Sequence, residues 1–201
     1  DPYALESVYV SVITFANSAK MALPLTELTA FRAPELVMGS GTALGDALSV
    51  LEKSIQTDVV KSTPDRKGDF KPICIILTDG EPTDNWTAIA DRFKSQLSGK
   101  KAFVVGIACG PEAGVATLRR ITEDVLMSKD IGSETLKKLF KWVSASVSTV
   151  SQAIEQTGKE TGINLEKIPL DCLEKATAKD EKQAQSADRY AYLHAKCIKS
   201  K

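Results

Sequence analysis

Two short stretches of the sequence place oxygen-bearing side chains where a hard metal ion or a phosphate group could bind. The first is a glycine-rich segment, Gly39-Ser-Gly-Thr-Ala-Leu-Gly45, which leads into a helical pattern. The second is Thr78-Asp79-Gly80, which ends the unbroken apolar run Ile73 to Leu77. A carboxylate directly after such a buried run is either a turn-former, because Asp-Gly favours turns, or a ligand.

Several other chemistries fit these residues less well. A dinucleotide site requires GxGxxG after a strand, whereas the spacing here is GxGxxxG after a loop that contains Pro34. No GK[ST] follows the glycines, which excludes a P-loop. Phosphatases that attack through an aspartate pair two aspartates at a strand end, and Leu77 stands where the partner of Asp79 would be. His194 is the sole histidine, so nucleophilic catalysis lacks an obvious base.

The elements that must position these residues alternate between strand and helix. Val8–Phe15 and Lys20–Leu28 are rich in strand-forming residues. From Thr42 onward, apolar runs alternate with segments whose apolar residues have helical spacing. The strands are predicted at Val8–Phe15, Lys20–Leu28, Ile73–Leu77, Ala102–Ala108 and Val125–Met127, with helices beginning near Thr42, Trp86, Glu112 and Leu136. This pattern predicts an α/β fold, a doubly wound and mostly parallel sheet with helices on both faces and Lys20–Leu28 as one antiparallel edge strand. Ligands of such sheets bind at the carboxyl ends of the strands, where Asp79 falls.

Composition narrows the function classes. Lys+Arg and Asp+Glu both number 26, which argues against a nucleic-acid binder that relies on a positive field. No apolar run approaches the roughly 18 residues of a membrane helix, and no signal peptide is visible. The four cysteines form no CxxC pair, so we predict a reducing, cytoplasmic setting.

The composition changes after Gly158. The stretch from Ala176 to Ala187 is charged and polar, and apolar residues return only from Asp188 to Ile198. We therefore predict one domain over residues 1–157 and a C-terminal extension over 158–201 that could open a second module.

The C-terminal extension contains residues that bind zinc in other proteins. Cys172, His194 and Cys197 could belong to such a site, but a structural zinc ion requires four ligands and no fourth follows. Ordinary residues of an extension are the favoured interpretation.

In this order, Gly-Thr-x4-Ala-Leu at the start of one helix and Thr-Asp-Gly-x-Pro-x-Asp at the end of a buried strand resemble the von Willebrand factor type A domain. The resemblance covers residues 1 to about 150. That family builds a metal-ion-dependent adhesion site from three loops, one of which supplies a threonine ahead of a helix and another an aspartate in a TDG turn. The resemblance implies that Thr42 and Asp79 bind Mg²⁺ or Mn²⁺, hard cations that prefer oxygen ligands.

Within the family, the chain is most similar to TerY-type proteins of bacterial tellurium-resistance operons. The segments that carry this closer similarity are DPYALE at the start, KGDFKP before the central strand and FKWVSASVS in the last helix. The similarity implies a role in tellurite or stress resistance, with partner proteins that include a kinase and a phosphatase of the same operon.

The first of the family's three loops has no counterpart in this sequence. No DxSxS motif occurs, and Asp1 resembles a position after the family's first helix. We therefore expect that the central first strand and its loop, roughly 30 residues, are missing and that the sequence is truncated. With only Thr42 and Asp79 of the usual ligand set, metal binding by this chain is expected to be weak or absent.

We interpret the chain as a metal-dependent protein-binding module rather than an enzyme, with no nucleic-acid or membrane partner. A cation held by few protein oxygens would leave a coordination position for an acidic residue of a partner protein. Two alternatives stay open, a metal-dependent enzyme that handles phosphoesters and a scaffold domain without metal. Thr42 could also cap its helix, which is compatible with a role as a ligand. Asp84 is interpreted as the N-cap of the helix at Trp86 rather than as a ligand.

Overall fold

The computed structural model describes residues 8–36, 39–66, 68–109, 114–128, 130, 132–158, 164–165, 168–169 and 171–177. In these residues the strands are β1 (Tyr9–Phe15), β2 (Ala19–Glu27), β3 (Ile73–Thr78), β4 (Phe103–Cys109), β5 (Asp124–Ser128) and β6 (Leu173–Lys175). The α-helices are α1 (Leu44–Asp58), α2 (Thr87–Gln96), α3 (Val115–Arg119) and α4 (Ser133–Thr157), and a 3-10 turn follows β2 at Leu28–Ala30.

A four-stranded sheet forms the centre of the fold. β3, β4 and β5 are parallel neighbours, as their apolar composition and the helices between them predict. β6 pairs antiparallel with β5, so Leu126 lies opposite Lys175. The α/β prediction is therefore confirmed, and a strand from the predicted C-terminal extension completes one edge of the sheet.

β1 and β2 form an antiparallel hairpin that is separate from this sheet. Both strands lie where the sequence predicts them, and the antiparallel strand predicted at Lys20–Leu28 is confirmed, with β1 as its partner in a ladder of its own. Within the described residues β1 makes no ladder with β3, and the hairpin instead packs against α1. The antiparallel edge of the main sheet is β6.

Helices cover both faces of the main sheet, as predicted. On one face α1, α2 and α3 bury Leu48, Phe93 and Leu118, each at most 1% exposed. On the other face α4 packs Leu139 and Trp142 against β4 and β5. Burial of these apolar side chains is the main force that holds the layers together.

In the long helix α4, Val150 is buried, and Leu136 and Val143 pack against the buried core residues. Phe140 is 56% exposed. Leu139 and Trp142 are buried instead, and neighbouring residues of a helix point about 100° apart, so Phe140 faces outward.

Among the residues that the structure describes, no helix combines the length and the apolarity needed to cross a bilayer.

Candidate metal site

Asp79 directly follows β3 at the carboxyl end of the main sheet, where its side chain is exposed. The turn here is fastened by Thr78, whose hydroxyl donates to the carbonyl of Gly80 at 3.0 Å and accepts from the Gly80 amide at 3.4 Å. The Asp79 carboxylate makes no hydrogen bond within the described part of the chain. The side chain that shapes this turn is therefore Thr78, which leaves the carboxylate available to a ligand.

Thr42 lies beside this turn, just before α1. A side-chain carbon added to Gly80 would sit 3.4 Å from the Thr42 hydroxyl oxygen, so the two predicted ligand segments are in contact. Thr42 does not cap this helix. The N-cap position is occupied by Ala43, whose methyl side chain cannot accept a hydrogen bond. The Thr42 hydroxyl makes no hydrogen bond to any residue that the structure describes.

Asp84 caps the start of α1. Its carboxylate accepts hydrogen bonds from the amides of Gly45 at 3.1 Å and Asp46 at 2.9 Å. The prediction that Asp84 caps its own helix, α2, is wrong, since that helix begins after Trp86 without a side-chain cap. A carboxylate is favourable at either helix start, and the free N–H groups of α1 are the ones within its reach.

The turn of the β1–β2 hairpin supports the glycine-rich segment from the other side. The Ala43 amide donates to the carbonyl of Ala16 at 2.8 Å, and the Ser40 hydroxyl donates to the Asn17 side chain at 3.2 Å. Gly41 has a φ of +86°, a conformation that side-chain-bearing residues rarely adopt. Three separate segments of the chain therefore meet around Thr42.

Cys109 ends β4 next to the strand that carries Asp79. Burial, together with the smaller effect of the negative charge of Asp79, raises the pKa of its thiol to about 11. The thiol stays protonated near neutral pH and does not offer a soft ligand. The oxygens of Thr42 and Asp79 therefore remain the candidate donors at this turn.

The Thr42 hydroxyl and the Asp79 carboxylate match part of the ligand set that Mg²⁺ or Mn²⁺ requires. One hydroxyl and one carboxylate suit a cation that keeps several of its waters and uses few protein ligands. Among the described residues no group of three His, Cys, Asp or Glu side chains comes together that could hold a metal ion. Thr42 and Asp79 alone would make only a partial shell, so low affinity is expected of such a site.

Comparison with known proteins bears on this site. The sequence model of the von Willebrand factor type A domain matches residues 4–142, a span that includes Thr42 and Asp79. The chain belongs to this family. Von Willebrand factor type A domains are often involved in metal-dependent protein interactions. The more specific TerY-type similarity is not supported by these comparisons and stays a prediction.

Among solved structures, the chain is similar to the ArnB paralog VWA2 from Sulfolobus acidocaldarius, with 17% identity and a TM-score of 0.36. The alignment covers 74% of this chain and 32% of that protein, so the chain spans about a third of its length. No curated protein matches this von Willebrand factor type A domain.

The site also contains residues that the sequence did not single out. Thr83 and Asn17 hold the segment around Thr42, and Asp84 caps α1 rather than α2. The one available signal was the TDGxPxD motif itself, which includes Thr83 and Asp84 but does not show which helix they contact.

Proposed function

We propose that this von Willebrand factor type A domain is a protein-binding module that engages an acidic residue of a partner protein through Mg²⁺ or Mn²⁺. The observation that supports it is the contact between Thr42 and the Asp79-Gly80 turn at the carboxyl end of the sheet. Both side chains present oxygens that no described residue uses. A hydroxyl beside a carboxylate is a pair of donors suited to a hard cation.

The two residues have separate tasks in this proposal. Asp79 supplies the charge that attracts the cation, and Thr42 supplies a neutral oxygen that fixes its place against α1. A cation bound there retains an open coordination position, which a carboxylate of the partner can occupy. Because Asp79 is exposed, a partner surface can approach the site directly.

We propose binding rather than catalysis, because the other carboxylates of the same loop, Glu81 and Asp84, are already engaged by Thr117 and by the start of α1. Catalysis of phosphoester hydrolysis needs a group that activates water. Metal-dependent hydrolysis of p-nitrophenyl phosphate by the wild-type chain, lost in Asp79→Asn, would contradict this part of the proposal.

The proposal also includes a cellular setting. The resemblance of three sequence segments to TerY-type proteins supports a cytoplasmic tellurite or stress response, with a kinase and a phosphatase as partner proteins. Direct binding assays with such operon-encoded proteins, in Mg²⁺ and in EDTA, test this setting. Binding that is indifferent to EDTA would separate the partner from the metal site.

The metal site is tested by Mn²⁺ titration followed by water-proton relaxation. We expect saturable binding that is weakened in Asp79→Asn and in Thr42→Val. Asp124→Asn is the matched control, because Asp124 is an exposed aspartate at the start of β5, the opposite end of the sheet. Equal binding by all four proteins would reject the site.

The open coordination position is tested by adding acetate to the Mn²⁺-loaded chain. Acetate that displaces water from the metal lowers the relaxation enhancement, as the partner's carboxylate is proposed to do. No change at saturating acetate would contradict recognition of an acidic residue.

A further inference from the structure

The loop after β3 is fastened on both sides to helices. On one side the Glu81 carboxylate accepts a hydrogen bond from the Thr117 hydroxyl of α3 at 2.7 Å. On the other side Thr83 and Asp84 contact the start of α1. The loop that carries Asp79 is therefore held between two helices, next to the segment that contains Thr42.

Asp84 makes the stronger of the contacts with α1. Its two carboxylate oxygens are used separately, Oδ1 by the Gly45 amide and Oδ2 by the Asp46 amide. Such charge-assisted bonds to the free N–H groups of a helix start are stronger than neutral ones. They fix both the position and the rotation of the first turn of α1, three residues after Thr42.

The close packing at Gly45 is a second, independent sign of the same contact. A side-chain carbon at this position would lie 2.8 Å from the Cα of Trp86 and 3.0 Å from Asp84 Oδ2. Real side-chain carbons do not approach backbone atoms so closely, so only glycine allows the loop to lie directly on the helix. Gly45 is buried in this contact.

We propose that Asp84 is a positioning residue of the metal site, acting through the first turn of α1. By holding that turn against the loop after β3, it sets the Thr42 hydroxyl next to Asp79 so that one cation can contact both. The role of this contact in metal binding rests on the proposed function, whereas its effect on the position of Thr42 does not.

The position of Thr42 is tested without metal by NMR. In the wild-type chain we expect nuclear Overhauser contacts between the Thr42 side chain and Gly80, and slow amide exchange at Gly45 and Asp46. In Asp84→Ala these contacts should weaken and both amides should exchange faster. Contacts and exchange unchanged in Asp84→Ala would overturn the inference.

Arg92→Ala is the matched control for a general loss of stability. Arg92 of α2 forms an ion pair with Glu52 of α1 at 2.8 Å, so its removal also loosens the two helices but away from the site. We expect Arg92→Ala to lower stability while the Thr42–Gly80 contacts stay. Gly45→Ala, whose added carbon would push the loop off the helix while the Asp84 carboxylate itself is retained, should reproduce the effect of Asp84→Ala.

The consequence for metal binding is tested by Mn²⁺ affinity. Asp84→Ala should bind Mn²⁺ about tenfold more weakly, as is common when a group that orients a ligand is removed. Asp84→Asn, whose amide oxygen still accepts a hydrogen bond, should recover part of that loss. If both variants lose binding while the Thr42–Gly80 contacts persist, Asp84 is itself a ligand and the inference is wrong.

The two proposals fail in different ways. If the wild-type chain binds no Mn²⁺ and Asp84→Ala still loses the Thr42–Gly80 contacts, the proposed function is wrong and the positioning of Thr42 by Asp84 stands. If Mn²⁺ binds at Asp79 with equal affinity in wild type, Asp84→Ala and Gly45→Ala, the proposed function stands and the positioning role is wrong.

Discussion

Thr42 and Thr83 hold each other by two hydrogen bonds. The Thr42 amide donates to the Thr83 hydroxyl at 2.9 Å, and the Thr83 amide donates to the Thr42 carbonyl at 2.9 Å. The segment before α1 and the loop after β3 are thereby joined at the residue proposed to bind metal. Both the amide and the carbonyl of Thr42 make hydrogen bonds in this pair, so its side chain is the group that can contact a ligand.

Thr83→Val tests this pair. Valine has nearly the shape of threonine but offers no acceptor, so the Thr42 amide loses its partner. We expect the free energy of unfolding to fall by about 1 kcal/mol in urea denaturation, with a further loss of Mn²⁺ affinity. Thr83→Ser keeps the hydroxyl and serves as the control. If valine and serine behave alike, the hydrogen bond to Thr83 does not matter for the site.

A pH effect is expected from Asp91 in α2. Arg120 holds its carboxylate by two hydrogen bonds, at 2.6 Å and 2.7 Å, and the bond from Arg120 is the main cause of a lowered Asp91 pKa. The unfolded chain titrates at the ordinary aspartate pKa of about 3.9. The stabilisation is therefore fully present above that pH and is lost as the pH falls through the lower, folded value.

Carbon-detected NMR titration of the carboxyl groups measures this shift. In the wild-type chain the Asp91 signal should titrate below the ordinary range, and in Arg120→Gln it should return toward it. Asp124, an exposed aspartate away from this pair, serves as an internal reference. An Asp91 titration that is the same with and without Arg120 would show that the two side chains do not interact in solution.

The buried thiols should resist chemical modification. Cys74 lies in β3 under the helices, and burial raises its pKa to about 12. The thiolate is the reactive form, so iodoacetamide at about pH 8 should leave Cys74 unlabelled in the folded chain and label it in guanidinium. Peptide mass spectrometry measures both. Equal labelling rates in the two conditions would mean that β3 is not covered as described.

Much of the fold follows from local patterns. β3, β4 and β5 were predictable because each is an apolar run bounded by polar or glycine residues, with an amphipathic helix between neighbours. The position of Thr42 and Asp79 at the helix start and the strand end followed from the same pattern. The proximity of Thr42 to the Asp79-Gly80 turn is seen only in the structure, and metal binding by the pair stays a prediction.

The misses share a physical cause, which is dependence on distant partners. Asp84 lies 39 residues from Gly45, whose amide it caps, and nothing local distinguishes that helix start from its own. β6 has only three residues, of which Leu173 alone is buried, too short for a pattern. The two hairpin strands were predicted, but the alternation of their own side chains does not show whether the hairpin joins the main sheet.

β6 has a practical consequence for making this protein. It is held on β5 by the Ala176 amide, which donates to the Val125 carbonyl at 3.0 Å, and by Arg119, which donates to the Ala176 carbonyl at 2.7 Å. The family match stops at residue 142, inside α4. A recombinant chain cut there would present β5 to other molecules as a bare strand and invite self-association. Expression limits drawn beyond Thr177 keep that strand covered and give the better sample for every measurement above.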